Sequence, residues 1–172
     1  MEVVTADNPL PYQGPPTWTW YGRDPAWRLP FEAAARRRHG EELVRAVDGG
    51  RLTYRLRALE VTGRPDPVPV DIIFYARQLD RHFGLPVRDM PVVYADPGAE
   101  SPHRNGDDSL CLWFPGDPEQ RRWRSELGLL VLLDLIAEHL FAELHWRATG
   151  GARRGEWVLD EAPHGFPNGR AA

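Results

Sequence analysis

The stretch Pro102-His103-Arg104-Asn105-Gly106-Asp107-Asp108-Ser109-Leu110-Cys111-Leu112-Trp113-Phe114-Pro115 decides how the rest of the chain is read. It holds the single cysteine of the sequence, with His103 a short distance upstream. A Gly-Asp-Asp turn signal at 106–108 precedes Ser-Leu-Cys-Leu-Trp, which alternates like a short strand and is stopped by Pro115. If Leu110 and Leu112 turn inward, alternation sends Cys111 and Trp113 to the opposite face, beside the polar 103–108 loop. A lone cysteine is commonly a small buried hydrophobe; a thiol on a rigid element beside polar groups is a candidate nucleophile.

Working outward, residues 1–30 are rich in proline and aromatics, with Trp18, Trp20, Tyr21 and Trp27 set among Pro15, Pro16, Pro25 and Pro30, and read as an arm without regular structure. From Phe31 to about Val47 the spacing predicts a helix with Phe31, Ala35, Leu43 and Val47 inward and Arg36, Arg37 and Arg38 solvated, closed by Asp48-Gly49-Gly50. Period-two alternation predicts strands over 52–61 and 68–75, joined by a Gly-Arg-Pro-Asp-Pro turn, and a brief third over 91–94. The segment carrying Cys111 is the fourth extended piece of an antiparallel meander. Leu129, Leu132, Leu133, Ile136, Leu140 and Leu144 then recur at helical spacing over 127–147, with Leu127, Val131 and Leu135 widening the stripe and Thr149-Gly150-Gly151 stopping it. The expected organisation is one α+β domain over 31–165, an arm at 1–30 and a tail at 166–172.

The composition agrees with a single domain large enough to bury a core: 172 residues, 42% hydrophobic and 27% charged. All 21 basic residues are arginine, against 25 acidic ones, and a net charge of −4 makes no field for nucleic acid or an anionic membrane. The absence of lysine is what GC-rich coding produces; it would also spare an acyl-carrying thiol a self-acceptor amine. One cysteine forms no internal disulfide, and the opening residues lack a basic start and an apolar run, so a reducing, cytoplasmic setting is expected. The most apolar segment, Leu127–Ile136, carries Asp134 and falls short of the roughly 20 residues that span a bilayer. His139 and His145 fall on different faces of their helix and read as helix-surface residues within a solvated Glu138–Arg147 face. Neither a metal nor a cofactor is expected.

The element order and several motifs resemble the ubiquitin-conjugating (E2-like) family. Leu85-Pro86-Val87-Arg88-Asp89-Met90-Pro91-Val92-Val93-Tyr94 resembles the family's Tyr-Pro-x-x-x-Pro-x-Val-x-Phe run, and Asp108-Ser109-Leu110-Cys111-Leu112 its Gly-x-Ile-Cys-Leu segment. The bacterial pattern His-Arg-x-x-Asp-Gly-Ser-Leu-Cys-Leu-x-x-Pro is similar to His103 through Pro115. A C-terminal Trp-Leu-x-x-Tyr-Glu-x-Trp-x-x-Thr-Gly run with a Gly-Glu-x-x-His ending is echoed by His139-Leu140, Glu143, Trp146, Thr149-Gly150 and Glu161-Ala162-Pro163-His164. The chain departs from the family at three points: Arg104 follows His103 where a His-Pro-Asn tripeptide would have proline, Asp108 replaces a glycine, and His139 stands where the relatives have tryptophan.

The resemblance implies transthioesterification without a cofactor in this chain. Cys111 would take the C-terminal acyl group of a ubiquitin-like protein from an activating enzyme, or that of a cyclic-nucleotide-synthesising nucleotidyltransferase as in type II CBASS antiviral systems, and pass it to an acceptor nucleophile. His103 and His164 would position or deprotonate, with Asn105, Asp107 and Asp108 in support. The 116–124 loop and the first helix would be docking surfaces. Two other readings stand beside it: an inactive member of the fold that binds a partner, and a cysteine hydrolase with a histidine within reach of the thiol.

Overall fold

In the computed structural model, which describes residues 20–159, the first helix begins earlier than its apolar spacing predicts. Asp24 caps it, Oδ1 accepting the Ala26 N–H at 2.9 Å, and Pro25 takes the first position, where a missing N–H is harmless. Pro30 lies inside this helix, α1 (Pro25–His39), at the cost of one hydrogen bond; the two prolines are what made residues 25–30 look irregular. Just upstream, Trp20 and Tyr21 pack on the core, Tyr21 donates its hydroxyl to the Tyr75 carbonyl at 2.8 Å, and Trp27 stacks on Phe31 with centroids 4.5 Å apart. Trp18 and the rest of the expected arm lie outside the described residues, as does the tail beyond 159.

Helix α1 ends at Gly40, whose φ of 53° favours glycine. Leu43 and Val47 therefore do not extend its inward face; they belong to strand β1 (Leu43–Asp48). The Asp48-Gly49-Gly50 run, read as a helix stop, is a hairpin turn: Asp48 pairs with Arg51, the first residue of β2 (Arg51–Leu59), and Gly49 sits at φ 53°. A Gly-Gly pair ends a helix or turns a hairpin equally well, and six residues are too few to show a period, so only pairing with β2 decides between them.

Strands β3 (Val68–Tyr75) and β4 (Val92–Ala95) complete a four-stranded antiparallel sheet in the order β1-β2-β3-β4. The chain is thus α+β, one meander with two helices against it. Leu52, Tyr54, Leu56, Val70, Ile72 and Phe74 point from the sheet into a core shared with Phe31 and Ala35 of α1. Helix α2 (Gly128–Thr149) adds Leu129, Leu132, Leu133, Ile136 and Leu140, all fully buried, and ends where Gly150 and Gly151 take positive φ.

Three readings of these elements are corrected. The Cys111 segment is not a sheet strand: it makes one isolated bridge, Arg104 to Leu110, and the Leu110 N–H donates to the Val93 carbonyl of β4 at 2.8 Å. The fourth strand of the sheet is instead β1. Leu127 and Val131 do not widen the apolar stripe of α2, being 48% and 39% exposed. His139 and Glu143, expected on a solvated face, are 1% and 0% exposed, because this face of α2 turns toward the cysteine segment rather than toward water. Among the described residues, no helix is long and apolar enough to cross a membrane, and no group of three or more His, Cys, Asp or Glu side chains could hold a metal ion.

Candidate active site

Residues 103–111 form a tight hairpin against the end of β4. The Cys111 N–H donates to the His103 carbonyl at 3.0 Å, and the Asn105 N–H to the Ser109 carbonyl at 2.8 Å. Asp108 sits at the turn with φ 66°, in a region where aspartate is better tolerated than most side chains. A glycine would meet the same demand, so the departure from Asp-Gly-Ser leaves the turn intact here.

The polar side chains of Asn105, Asp107, Asp108 and Ser109 are all hydrogen-bonded. Asn105 Nδ2 donates to Ser109 Oγ at 3.0 Å, and Ser109 Oγ donates to Asp107 Oδ1 at 2.6 Å. Asp107 Oδ2 accepts from Arg81 at 2.7 Å and from the Tyr94 hydroxyl at 3.2 Å. Burial opposes ionisation of Asp107, but the hydrogen bonds from Ser109 and Arg81 outweigh it and hold the carboxyl down at about 2. Asp108 accepts from Arg104 at 3.1 Å and from the Gly98 N–H at 2.8 Å.

Beneath the turn, Arg104 is 5% exposed and donates through Nε and a terminal nitrogen to both carboxylate oxygens of Glu143, each at 2.9 Å. His139 Nε2 and an Arg147 nitrogen each stand 3.5 Å from the same carboxylate. Burial alone would push the Glu143 carboxyl up; the close approach of His139 and the hydrogen bonds and charge of Arg104 reverse this, to about 2.

Cys111 is 7% exposed and lies on the wall of a cleft of about 510 Å³, within the roughly 300–1,000 Å³ typical of ligand sites. Met90, Leu112, Trp113, Phe114 and Phe83 make the cleft predominantly apolar, while Asn105, Ser109, Asp80 and Arg81 bring polar groups. Trp113 does not share an outer face with the thiol; it is 9% exposed, packs on Trp123 and donates Nε1 to Met90 Sδ at 3.3 Å. Leu112 is the half-buried neighbour, and Ser109, Leu110 and Cys111 are all buried, so the expected alternation fails across 109–111. Across the cleft Phe83, 69% exposed and at φ 50°, faces Phe114 with ring centroids 6.1 Å apart.

Of the residues singled out from sequence, the structure brings Cys111 and Asn105 together on the cleft wall, with Asp107 and Asp108 bracing the turn behind them. His103 joins the thiol segment through its carbonyl, while its ring stacks on Trp157 at 4.3 Å and stands edge-on to His139. No histidine lines the cleft among the described residues. His164 lies outside the described residues. Sequence reasoning missed Arg104, Glu143, Arg81 and Tyr94. Arg104 and Glu143 stand far apart in the chain, and nothing in the sequence shows that they face each other. Arg81 and Tyr94 carry no local pattern.

Comparison of the chain with models of known families, with characterised proteins and with solved structures gives no match.

Proposed function

We propose that this chain is an E2-like acyl carrier, in which Cys111 accepts the C-terminal acyl group of a partner protein as a thioester and passes it to an acceptor nucleophile. The observation that carries the reading is the setting of Cys111: a thiol at the wall of an apolar cleft, on a hydrogen-bonded turn between the last strand of a four-stranded meander and a long core helix. This is the element order that the motif resemblance implies.

In the step itself, the Cys111 thiolate attacks the carbonyl carbon of an incoming thioester. A carbon–sulfur bond forms to Cys111, the bond to the donor sulfur breaks, and the donor leaves as a thiolate. The acyl chain would lie between Phe83 and Phe114, and the Asn105 amide is a neutral donor on the cleft wall that could turn to a developing oxyanion. The resemblance gives His103 and His164 a role in positioning or deprotonation; His103 meets the thiol segment through its carbonyl, while its ring stacks on Trp157. The partners are an activating enzyme, which spends ATP, and a ubiquitin-like protein or a cyclic-nucleotide-synthesising nucleotidyltransferase; antiphage defence of the CBASS type is the setting this implies.

With activating enzyme, ATP and the nucleotidyltransferase or ubiquitin-like protein supplied, the chain should form a covalent adduct that a thiol reductant releases. Cys111→Ala should form none, and an adduct on that variant would sink the proposal. The low exposure of Cys111 favours a second reading, an inactive member of the fold that only binds partners. A native thiol inert to alkylation would support it.

A further inference from the structure

Arg104 occupies the position from which the whole turn can be held. Its backbone bridges to Leu110, so the arm that carries His103 and Asn105 is hydrogen-bonded to the arm that carries Ser109 and Cys111. Its side chain runs the other way, into α2, where the fork grips both oxygens of Glu143, and its remaining nitrogen reaches Asp108 on its own turn. The second tether of the turn, Asp107 to Arg81, joins side chains 36% and 39% exposed and is of the kind that contributes little alone. A buried ion pair is rarely the most stabilising way to fill a contact, since apolar residues of similar volume do as well or better. What a planar fork on a carboxylate supplies is direction and distance.

We infer that Arg104 and Glu143 are a positioning pair through which helix α2 fixes Asn105 and Cys111 relative to the carbonyl that the thiol attacks. This rests on the acyl-carrier reading. Neither side chain lines the cleft, so neither is a catalytic residue; the pair acts through the turn.

The test uses the full chain and two probes: a short peptide thioester of mercaptoethanesulfonate, and iodoacetamide, which needs a thiolate but no oriented carbonyl. Arg104→Lys keeps the charge and loses the fork; Glu143→Gln keeps the shape and loses the charge. In both, the maximal rate of acylation at Cys111, read by intact mass, should fall roughly ten- to a hundredfold with little change in KM. Alkylation by iodoacetamide should be nearly unchanged, and Arg104→Lys should retain its native circular dichroism. Acylation of the variants at the wild-type rate would overturn the inference. So would a parallel fall of acylation and alkylation that tracks the loss of thermal midpoint, since that is a purely structural role. A wild-type chain that is alkylated at Cys111 yet never acylated removes the acyl-carrier reading itself, and this inference with it.

Discussion

Two buried glutamates, one on each helix, are each surrounded by cations, yet they do different work. Glu32 on α1 is 2% exposed and accepts from Arg28, Arg36 and Arg45, with closest distances of 2.9–3.1 Å. Two of those arginines belong to its own helix and the third to the neighbouring edge strand, and they keep 14–36% of their side-chain surface in water. Glu143 on α2 is wholly buried, and its principal partner, Arg104, is 5% exposed and comes from the cysteine turn. The first cluster fastens a helix to the scaffold. The second fastens the turn that carries the thiol, and leaves its arginine nowhere to go if the carboxylate is removed.

The largest expected effect follows from that difference. Glu143→Ala strands a buried guanidinium and should cost about 3–5 kcal/mol in urea unfolding. Glu32→Ala leaves arginines that can turn to solvent and should cost about 1–2 kcal/mol. Equal losses would mean that the two glutamates do the same work.

Acid should sharpen it next. Glu143 and Asp107 titrate at about 2 in the folded chain, below their ordinary 4.5 and 3.8. The unfolded chain therefore takes up protons first, so the stability these carboxylates contribute is whole above about pH 4.5 and drains away as the pH falls toward 2. Glu143→Gln should flatten that limb of a stability-versus-pH curve. A separate, shallower limb belongs to His82, fully shielded in the loop that carries Arg81 and Phe83 to the cleft. Burial, and then Arg81, lower its pKa from 6.5, while its Nδ1 accepts the Leu79 N–H at 3.1 Å. Stability should decline as the pH drops below about 6.5, and His82→Gln should remove that decline.

The smallest effect is expected at Val131, 39% exposed on the face of α2 away from Glu143. Val131→Ser should change stability by no more than about 0.5 kcal/mol. A larger loss, read from the same urea curves, would mean that this face is covered.

Much of the fold was legible because its signals are local. The alternation of Leu52, Tyr54 and Leu56 and of Val70, Ile72 and Phe74 marks β2 and β3 to within two residues, and the leucine spacing of α2 marks that helix to within two. The misreadings fall where one local signal serves two structures. Gly49-Gly50 fits a helix stop or a hairpin, Pro25 and Pro30 fit a loop or the first turns of α1, and Ser-Leu-Cys-Leu-Trp alternates like a strand although it makes a single bridge. At the candidate site the thiol could be named from the turn itself and Asn105 from the motif resemblance, whereas Glu143, far along the chain, could not be seen facing Arg104.

The sequence by itself determined the apolar periods, the turn signal at 106–108 and the presence of one thiol beside it, since these depend on neighbours in the chain. Only the tertiary structure decided that β1 completes the sheet, that Cys111 and Trp113 are both buried on the wall of one cleft, and that His139 and Glu143 are buried under the turn. Those outcomes depend on which face of α2 meets residues 103–111. That choice is made by packing and by the satisfaction of a buried charge, which no local pattern encodes.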